Sequence, residues 1–453
     1  MITKIDVKGL YGAFKHTIDI KPENITLILG ENGLGKTVIL KMIKAFYDKD
    51  FFELQTNLFT EFSLTFSDNA VLTIYKSQSN DGCSLEIQLK LKGKKNILKH
   101  TIKFSEQERH GLTRRRNTKD FYFREIQYEL RRFLPFPIER IGNDRWLDSH
   151  RGVVFSTQEL IETYAEYFPP EIRKQFDTSL PQWLTERTNS IKTKLIETQR
   201  LLTKIKAEEG EYKSSVIRYS QELIETIKNK TVAATDLASK LDRSYPNRLI
   251  KKITLKSKIT DNELEDGLDK LNKRRELLNK VGLIDTEEEN LHPITTAIRK
   301  QSGKNKELLK DVLQVYLEDS NEKLTIYNEL SRRIDLLMEI INKRFLYKKI
   351  HIDKSRGFVF TSHVTGQNIP LTGLSSGEQH ELVLFYQLLF NTEPNSLLLI
   401  DEPEISLHIS WQNEFINDLT QVIQLNNLSA IIATHSPDII NNNWSLTVQL
   451  KGE

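Results

Sequence analysis

The chain has 453 residues, enough for two or three domains, and its 38% hydrophobic and 28% charged residues are typical of a folded protein rather than a disordered one. A net charge of +3 gives no overall signal of nucleic-acid binding, and a single cysteine excludes an internal disulfide framework and a thiolate metal cluster. Because the N-terminus lacks a signal-peptide pattern and no apolar run is long enough to span a membrane, we expect a cytoplasmic protein with no membrane partner.

The first hundred residues alternate between apolar and polar side chains, as β-strands do. They predict a hairpin with strands at 2–7 and 18–20, a short apolar strand at 24–29 and a helix at 37–47. The strands of a following meander are predicted at 62–66, 70–75, 84–91 and 97–104.

Residues 105–190 mix basic residues, aromatic residues and prolines. Basic side chains beside the aromatic residues 121–123 would suit phosphate contacts and base stacking. A solvated loop next to a core aromatic strand is the alternative, and an acidic protein surface could dock there equally well. The basic residues are Arg109, Arg114, Arg115, Arg116, Lys119, Arg124, Arg131 and Arg132.

From residue 203 to 346 the sequence changes to long, charged and nearly glycine-free helices. Apolar residues recur at alternating spacings of three and four, as in a helical seam, and Gly282 and His292-Pro293 interrupt the segment. We therefore expect a helical hairpin or short coiled-coil arm whose last helix runs about 60 Å. Strands return at 349–352, 358–360, 397–400 and 429–433, and the last two are continuously apolar, as central parallel strands are.

A phosphate-loop pattern, Gly-Glu-Asn-Gly-Leu-Gly-Lys-Thr, occupies residues 30–37 between a predicted strand and a predicted helix. Its glycines would let backbone N–H groups surround the phosphates of ATP, Lys36 would supply a cation, and Thr37 would offer a hydroxyl to Mg²⁺. A plain glycine-rich turn is the alternative, which the strand–loop–helix context disfavours. The residues predicted to bind the nucleotide here are Gly30, Asn32, Gly33, Gly35, Lys36 and Thr37.

An apolar strand at 397–400 ends in two acids, Asp401 and Glu402, which is the Walker B pattern. Asp401 would hold Mg²⁺ through water, and Glu402 would accept the proton of the attacking water. Alone, this pattern could equally be the end of a surface strand, but the phosphate loop favours the catalytic interpretation.

The stretch Leu-Ser-Ser-Gly-Glu-Gln at 374–379 opens a predicted helix just before the Walker B strand. A serine N-cap followed by a nearby acid is the simplest interpretation. In this position, however, the stretch matches an ABC signature, in which the Ser375 hydroxyl and the backbone at Gly377 would contact the γ-phosphate bound to another subunit.

Two further polar residues are predicted to belong to the site. His435 closes the apolar strand at 429–433 and would read the γ-phosphate as a switch histidine, with Ser436 as an additional polar contact. A glutamine should link Mg²⁺ to the rest of the head; Gln199, at the end of a predicted strand, is favoured over Gln158. A lone structural histidine and a solvated glutamine at a strand end are the alternatives.

Together the motifs predict an α/β fold, an ABC-type P-loop ATPase head with a mixed sheet and a RecA-like core, interrupted by a helical insertion. Residues 1–202 would form the N-terminal half of the head, including the 105–190 insert. Residues 203–346 would form the arm, and residues 347–453 the C-terminal half. In such a head the signature serves a neighbouring copy, so at least a dimer is expected.

The chain resembles the OLD/RecF/SMC-like ABC ATPases, and among them the ATPase subunits of bacterial anti-phage defence systems such as PARIS. The resemblance lies in Glu-Ile-Ser-Leu-His at 404–408 with Trp411-Gln412, and in 196–201 and 239–249 of the arm; Leu34 stands where a small residue is usual. It implies an ATPase, using ATP and Mg²⁺, that senses a phage-encoded protein or DNA. Copies could assemble beyond the dimer into rings.

In this family a nuclease is the effector. Because the sequence ends soon after His435, the resemblance implies that the nuclease is a separate protein, with a TOPRIM-type enzyme as one candidate. A DNA-repair or chromosome-organising clamp of the RecF/SMC type is the alternative function. A third possibility is a scaffold in which ATP stabilises the assembly and turnover is incidental.

Overall fold

The computed structural model describes most of the chain outside the 105–190 insert and part of the arm. The described residues are 1–79, 82–94, 96–105, 134, 138–142, 145–148, 153–155, 160, 163–164, 167, 180–197, 202–204, 212–255, 259–285 and 303–452. Gln158, Gln199, the basic cluster between 109 and 132 and the His292-Pro293 break lie outside them.

The strands and helices are numbered along the chain. The strands are β1 (Ile2–Leu10), β2 (Phe14–Asp19), β3 (Ile25–Leu29), β4 (Glu61–Phe66), β5 (Val71–Ser79), β6 (Gly82–Lys90), β7 (Ile97–Ser105), β8 (Ile138–Gly142), β9 (Arg145–Asp148), β10 (Val153–Phe155), β11 (Thr193–Ile196), β12 (Leu202–Lys204), β13 (Tyr212–Ser214), β14 (Lys348–Asp353), β15 (Gly357–Ser362), β16 (Asn368–Ile369), β17 (Leu397–Asp401), β18 (Ser429–Thr434) and β19 (Thr447–Gln449). The α-helices are α1 (Lys36–Tyr47), α2 (Phe51–Thr56), α3 (Gln182–Thr188), α4 (Ser215–Leu255), α5 (Asp261–Lys280), α6 (Lys304–Thr325), α7 (Asn328–Arg344), α8 (Ser376–Phe390), α9 (Ile409–Gln412), α10 (Phe415–Asn426) and α11 (Pro437–Ile440).

Two larger sheets organise the head. The first is antiparallel, in the order β2-β1-β4-β5-β6-β7, and contains the predicted hairpin and meander. The second is parallel, in the order β11-β17-β18-β3-β19. Its continuously apolar strands β17 and β18 lie in the interior of this sheet, as their composition predicts. The predicted α/β fold class is thereby confirmed.

The parallel sheet separates two helical layers. Leu397 and Leu399 of β17 belong to the same buried cluster as the apolar face of α1, whereas Leu398 and Ile400 belong to the cluster that contains α8. Successive strand residues point to opposite faces of a sheet, so α1 and α8 pack on opposite sides of β17. The helix after the phosphate loop and the helix after the signature stretch therefore lie in different layers.

The predicted arm is helical, but its last helix is shorter than expected. α4 has 41 residues and packs against α6, which also packs against α5. The expected long helix breaks between Thr325 and Asn328 into α6 and α7. On the two sides of the break, the apolar side chains pack against different partners. Leu313 of α6 belongs to a buried cluster within the arm, whereas Ile334 of α7 belongs to the core cluster that includes α8. None of the helices in the described parts of the chain combines the length and apolar character needed to cross a bilayer.

A buried charge cluster joins the end of the arm to the head. Arg344, in the last turn of α7, forms ion pairs with Glu381 of α8 and Asp418 of α10. Burial lowers the pKa of Arg344 below its usual value, and burial raises the pKa of Asp418 despite the attraction of Arg344. The cluster therefore connects α7, α8 and α10 through ion pairs. Because these side chains are buried, loss of one charge would leave its partners unpaired and lower the stability of the fold.

Candidate nucleotide site

The phosphate loop between β3 and α1 depends on its glycines. Gly33 and Gly35 have φ angles of +91° and +88°, which side-chain-bearing residues rarely adopt. A Cβ atom at Gly35 would lie 2.4 Å from Leu10 Cδ2, and one at Gly30 would lie 3.2 Å from Leu34 Cδ1. The backbone therefore favours glycine at Gly33 and Gly35, whereas a Cβ at Gly30 would require Leu34 and Leu450 to shift by a few tenths of an ångström.

Leu34, where a small residue is usual, is part of the core. Its side chain is buried in the cluster that contains α1, and its carbonyl oxygen lies 2.9 Å from Nε2 of the buried His16. Burial lowers the pKa of His16, which favours the neutral ring that can make such a bond. Leu34 thus anchors the loop, and His16 is a supporting residue that the sequence motif did not reveal.

Lys36 and Thr37 occupy the first turn of α1. Lys36 is buried, and its Nζ donates hydrogen bonds to the carbonyl oxygens of Gly30 at 2.7 Å and Glu31 at 3.1 Å. The Thr37 hydroxyl donates to Asp401 Oδ1 at 2.9 Å, although the two residues are 364 positions apart. The phosphate loop and the Walker B acid, each of which was assigned to Mg²⁺ from the sequence, are therefore in direct contact.

The pair Thr37 and Asp401 has the chemistry of a magnesium site. Hydroxyl and carboxylate oxygens are the ligands that Mg²⁺ prefers, and they are already adjacent here. Burial raises the pKa of Asp401, the Thr37 hydrogen bond opposes this rise, and the nearby Glu402 adds to it. A neighbouring cation would therefore stabilise the ionised form of Asp401.

Glu402, directly after β17, has an unusual backbone. Its φ is +43° and its ψ is 60°, a left-handed conformation, while its N–H donates to the Ala433 carbonyl at 2.9 Å. Glutamate rarely takes this conformation, and strained backbone is often found at functional sites. The bond to Ala433 also fixes the end of β17 against the end of β18, where His435 follows.

His435 is held by Glu404, a contact that neither motif revealed. Glu404 Oε1 accepts the backbone N–H of His435 at 2.8 Å and lies 3.1 Å from its Nδ1. Ser436 is buried, and its hydroxyl donates to Gln412 Oε1 at 2.7 Å and caps α11. This hydroxyl bonds within the chain here, and its contact with phosphate stays a prediction.

The signature stretch forms the start of α8. The Ser375 hydroxyl accepts from the Glu378 N–H at 3.3 Å, and the Ser375 N–H donates to Glu378 Oε2 at 2.7 Å, a capping box. Burial opposes ionisation of Glu378, but its ion pair with Lys348 and its bonds to Ser375 keep its pKa below the usual value. Ser375 is exposed, so its hydroxyl is accessible from outside the chain.

Gly377 is the second residue of α8, two positions after Ser375. A Cβ atom there would approach Trp411 Cζ3 to only 3.9 Å, an ordinary contact. Packing against the described residues of this chain therefore does not require glycine at this position. Across those same residues, no group of three or more His, Cys, Asp and Glu side chains is arranged to hold a metal ion.

Three comparisons show which known proteins this chain is similar to. The profile of the AAA ATPase domain family matches residues 1–440. Protein ea59 of Escherichia phage lambda is 40% identical over 72 residues, which are 16% of this chain and 13% of that protein's length. The chain thus spans only a small part of this relative.

Solved structures give broader coverage at low similarity. The Smc head domain of Pyrococcus furiosus, bound to the C-terminal domain of ScpA, is 11% identical with a TM-score of 0.33, covering 100% of this chain and 94% of that one. The SMC head domain of Thermotoga maritima is 10% identical with a TM-score of 0.31, covering 97% and 90%.

Proposed function

This chain belongs to the family of AAA ATPase domains, and from that membership we propose that it hydrolyses ATP in a site completed by a second copy of itself. The observation that carries the proposal is the 2.9 Å hydrogen bond between Thr37 and Asp401, which joins the phosphate loop to the Walker B strand. We further propose that residues 1–202 and 347–453 act as one head and residues 203–346 as its arm.

Each residue of the site has a proposed task. Lys36 would exchange its bonds to loop carbonyls for the phosphates of ATP, and Thr37 and Asp401 would hold Mg²⁺, with Gln199 as a further ligand. The ion, when bound, supplies positive charge next to the phosphate oxygens. Glu402 would accept a proton from the attacking water, and His435 would contact the γ-phosphate.

The proposal of a composite site rests on the two helical layers. α1 and α8 pack on opposite faces of β17, so the exposed Ser375 belongs to a different layer from Lys36. Nothing that Gly377 contacts in this chain demands glycine, which leaves room for close approach by another molecule. Both observations support a signature that serves the nucleotide of a second copy.

Mixing two inactive variants tests this arrangement. Lys36→Ala removes the phosphate cation, and Ser375→Arg blocks the signature, so each variant alone should lack ATP turnover. If the site is composite, a mixed dimer retains one intact site, and the mixture should regain about a quarter of wild-type turnover. Turnover in the mixture no higher than in either variant alone would contradict a site shared between copies. Lys36→Ala mixed with itself is the matched control.

We propose that the ATPase is the sensor and scaffold of an anti-phage defence complex such as PARIS. It would hold a separate effector nuclease, with a TOPRIM-type enzyme as the candidate, and release it when a phage-encoded protein or DNA is recognised. The resemblance of the head and arm motifs supports this role. Affinity capture from phage-challenged and unchallenged cells would test it: a nuclease retained only before challenge supports the proposal, and capture without any nuclease contradicts it.

A clamp on DNA is the second candidate, favoured by the helical arm that leaves and re-enters the head. Within this arm, α4 and α6 pack side by side. Steady-state ATP turnover with and without duplex ends separates the two candidates. Stimulation by DNA favours the clamp, whereas slow, DNA-independent turnover with ATP-dependent retention of a partner favours the sensor.

A further inference from the structure

The buried carboxylate of Glu404 contacts the largely exposed imidazole of His435 close to the proposed catalytic acid. Glu404 lies in the short turn Pro403–Ser406 after β17, and His435 follows β18. The Glu404 side chain is only 6% exposed, whereas the His435 side chain is 45% exposed. One carboxylate oxygen, Oε1, accepts from the Thr434 hydroxyl at 2.9 Å and the His435 N–H at 2.8 Å, and lies 3.1 Å from His435 Nδ1.

This contact favours a proton on one of the two ring nitrogens. With a carboxylate oxygen 3.1 Å from Nδ1, a lone pair on Nδ1 would be repelled and an N–H attracted, because an ionised carboxylate can only accept hydrogen bonds. In the neutral ring Nε2 then has the free lone pair, and it lies on the side of the ring opposite Nδ1. Glu404 therefore favours one tautomer and leaves Nε2 as the atom available to a ligand.

A second buried side chain fixes the backbone on both sides of this pair. Gln412 Nε2 donates to the carbonyl oxygens of Glu404 and Leu407, both at 3.2 Å, and its Oε1 accepts from the Ser436 hydroxyl at 2.7 Å. The turn that carries Glu404 and the turn that carries His435 are thus joined through one buried amide. The backbone of neither turn can shift without breaking bonds in this network.

The second oxygen of Glu404 points to a role beyond packing. Oε2 is buried and has no hydrogen-bond partner among the residues that the structure describes. A carboxylate that served only to cap the two turns would be expected to use both oxygens, because an unpaired buried acceptor is costly.

We propose that Glu404 is a positioning residue for ATP hydrolysis, which fixes the ring orientation and the Nδ1–H tautomer of His435 so that Nε2 faces the γ-phosphate. The inference rests on the proposed function, because the γ-phosphate enters only with ATP. In the alternative, Glu404 merely holds the two turns together. The two roles predict different results when the Glu404 carboxylate is removed: the ring proton of His435 should move to Nε2 only if Glu404 sets the tautomer.

Nitrogen NMR of the histidine rings tests the tautomer directly. Protein labelled with ¹⁵N-histidine is recorded without nucleotide, about two pH units above the usual histidine pKa of about 6.5, so that the rings are neutral. The His435 signals are assigned by their loss in His435→Gln. In the wild type Nδ1 should show the shift of a protonated ring nitrogen; an unprotonated Nδ1 would overturn the inference.

Two substitutions at Glu404 then separate its roles. Glu404→Gln keeps an oxygen that can accept from Nδ1, so the tautomer should stay. Glu404→Leu removes the acceptor, and the proton should move to Nε2, which histidine prefers in the absence of a partner. With the wrong tautomer, kcat for ATP should fall at least about 10-fold while KM changes less than about twofold. Glu393→Leu, an exposed acid paired with Lys192, is the matched control and should change neither.

The outcomes distinguish the inference from the proposed function. If the wild-type chain shows no ATP turnover, the proposed function fails, while the NMR result still decides whether Glu404 sets the tautomer. If the wild type turns over ATP and Glu404→Leu shifts the proton without lowering kcat, the positioning role is wrong. If Glu404→Leu does not fold, two measurements still test the inference. They are the position of the ring proton in wild-type His435 and the kcat of Glu404→Gln, in which the tautomer should stay.

Discussion

Removing Arg344 should be among the most destabilising single changes in the head. Its guanidinium pairs with Glu381 and Asp418, and all three side chains are at most 3% exposed. Arg344→Met keeps much of the side-chain volume but leaves two buried carboxyl groups without their cation. Breaking a buried pair in this way typically costs about 3–5 kcal/mol, against about 1 kcal/mol or less for an exposed pair.

The linkage to pH gives this prediction a second test. Burial already raises the pKa of Asp418, and removal of Arg344 should raise it further. An acid whose folded-state pKa is raised stabilises the fold at low pH, and this contribution is lost as the pH rises through the folded-state pKa. The deficit of Arg344→Met relative to the wild type should therefore shrink as the pH falls from about 8 towards about 5.

Urea unfolding followed by fluorescence at several pH values measures both effects. Lys343→Met is the matched control on the same helix, because the side chains of Lys343 and its partner Glu414 are 58% and 42% exposed, and its loss should cost less than about 1 kcal/mol. A deficit for Arg344→Met no larger than that of the control would refute the reasoning. A deficit that grows as the pH falls would refute the assigned role of the buried acids.

Further predictions concern the nucleotide site. Lys36→Ala should abolish ATP binding, measured by calorimetry, because no other side chain is expected to replace its charge between the loop carbonyls. Glu402→Gln should bind ATP without hydrolysing it and hold copies together; a monomer by light scattering in saturating ATP would contradict this. Gly35→Ala should weaken nucleotide binding more than Gly33→Ala, since both need a left-handed backbone but only a Cβ at Gly35 meets Leu10. Equal affinities in the two alanine variants would show that this contact is unimportant.

Motifs made of consecutive residues could be predicted from the sequence, because their conformation depends on neighbouring residues alone. The phosphate loop needs only the strand–loop–helix context of residues 30–37, and the Walker B strand is apolar because it lies inside a parallel sheet. The assignment of Thr37 and Asp401 to one Mg²⁺ ion is compatible with the hydrogen bond between them. These inferences needed no knowledge of tertiary packing.

The contacts that hold the site in place could not be predicted from the sequence, because they join residues that are far apart along the chain. Glu404 and Gln412 attracted attention only through a family resemblance, and their contacts with His435 and Ser436 depend on the pairing of β17 with β18. The break between α6 and α7 was missed for a similar reason. A seam of apolar residues continues across Tyr327, but its two halves pack against different partners.

The two interpretations of Ser375 are compatible, because they use different parts of one hydroxyl. As an N-cap the oxygen accepts the Glu378 N–H, and its own O–H is shared with the Glu378 carboxylate, which a phosphate would have to displace. A γ-phosphate of a second copy would take that donor. Ser375→Asp should therefore preserve the cap, since aspartate caps helices well, but it replaces the donor with a negative charge. We expect this variant to retain wild-type thermal stability and ATP binding by Lys36 while losing ATP-dependent association. Normal association of Ser375→Asp would mean that the hydroxyl serves the helix alone.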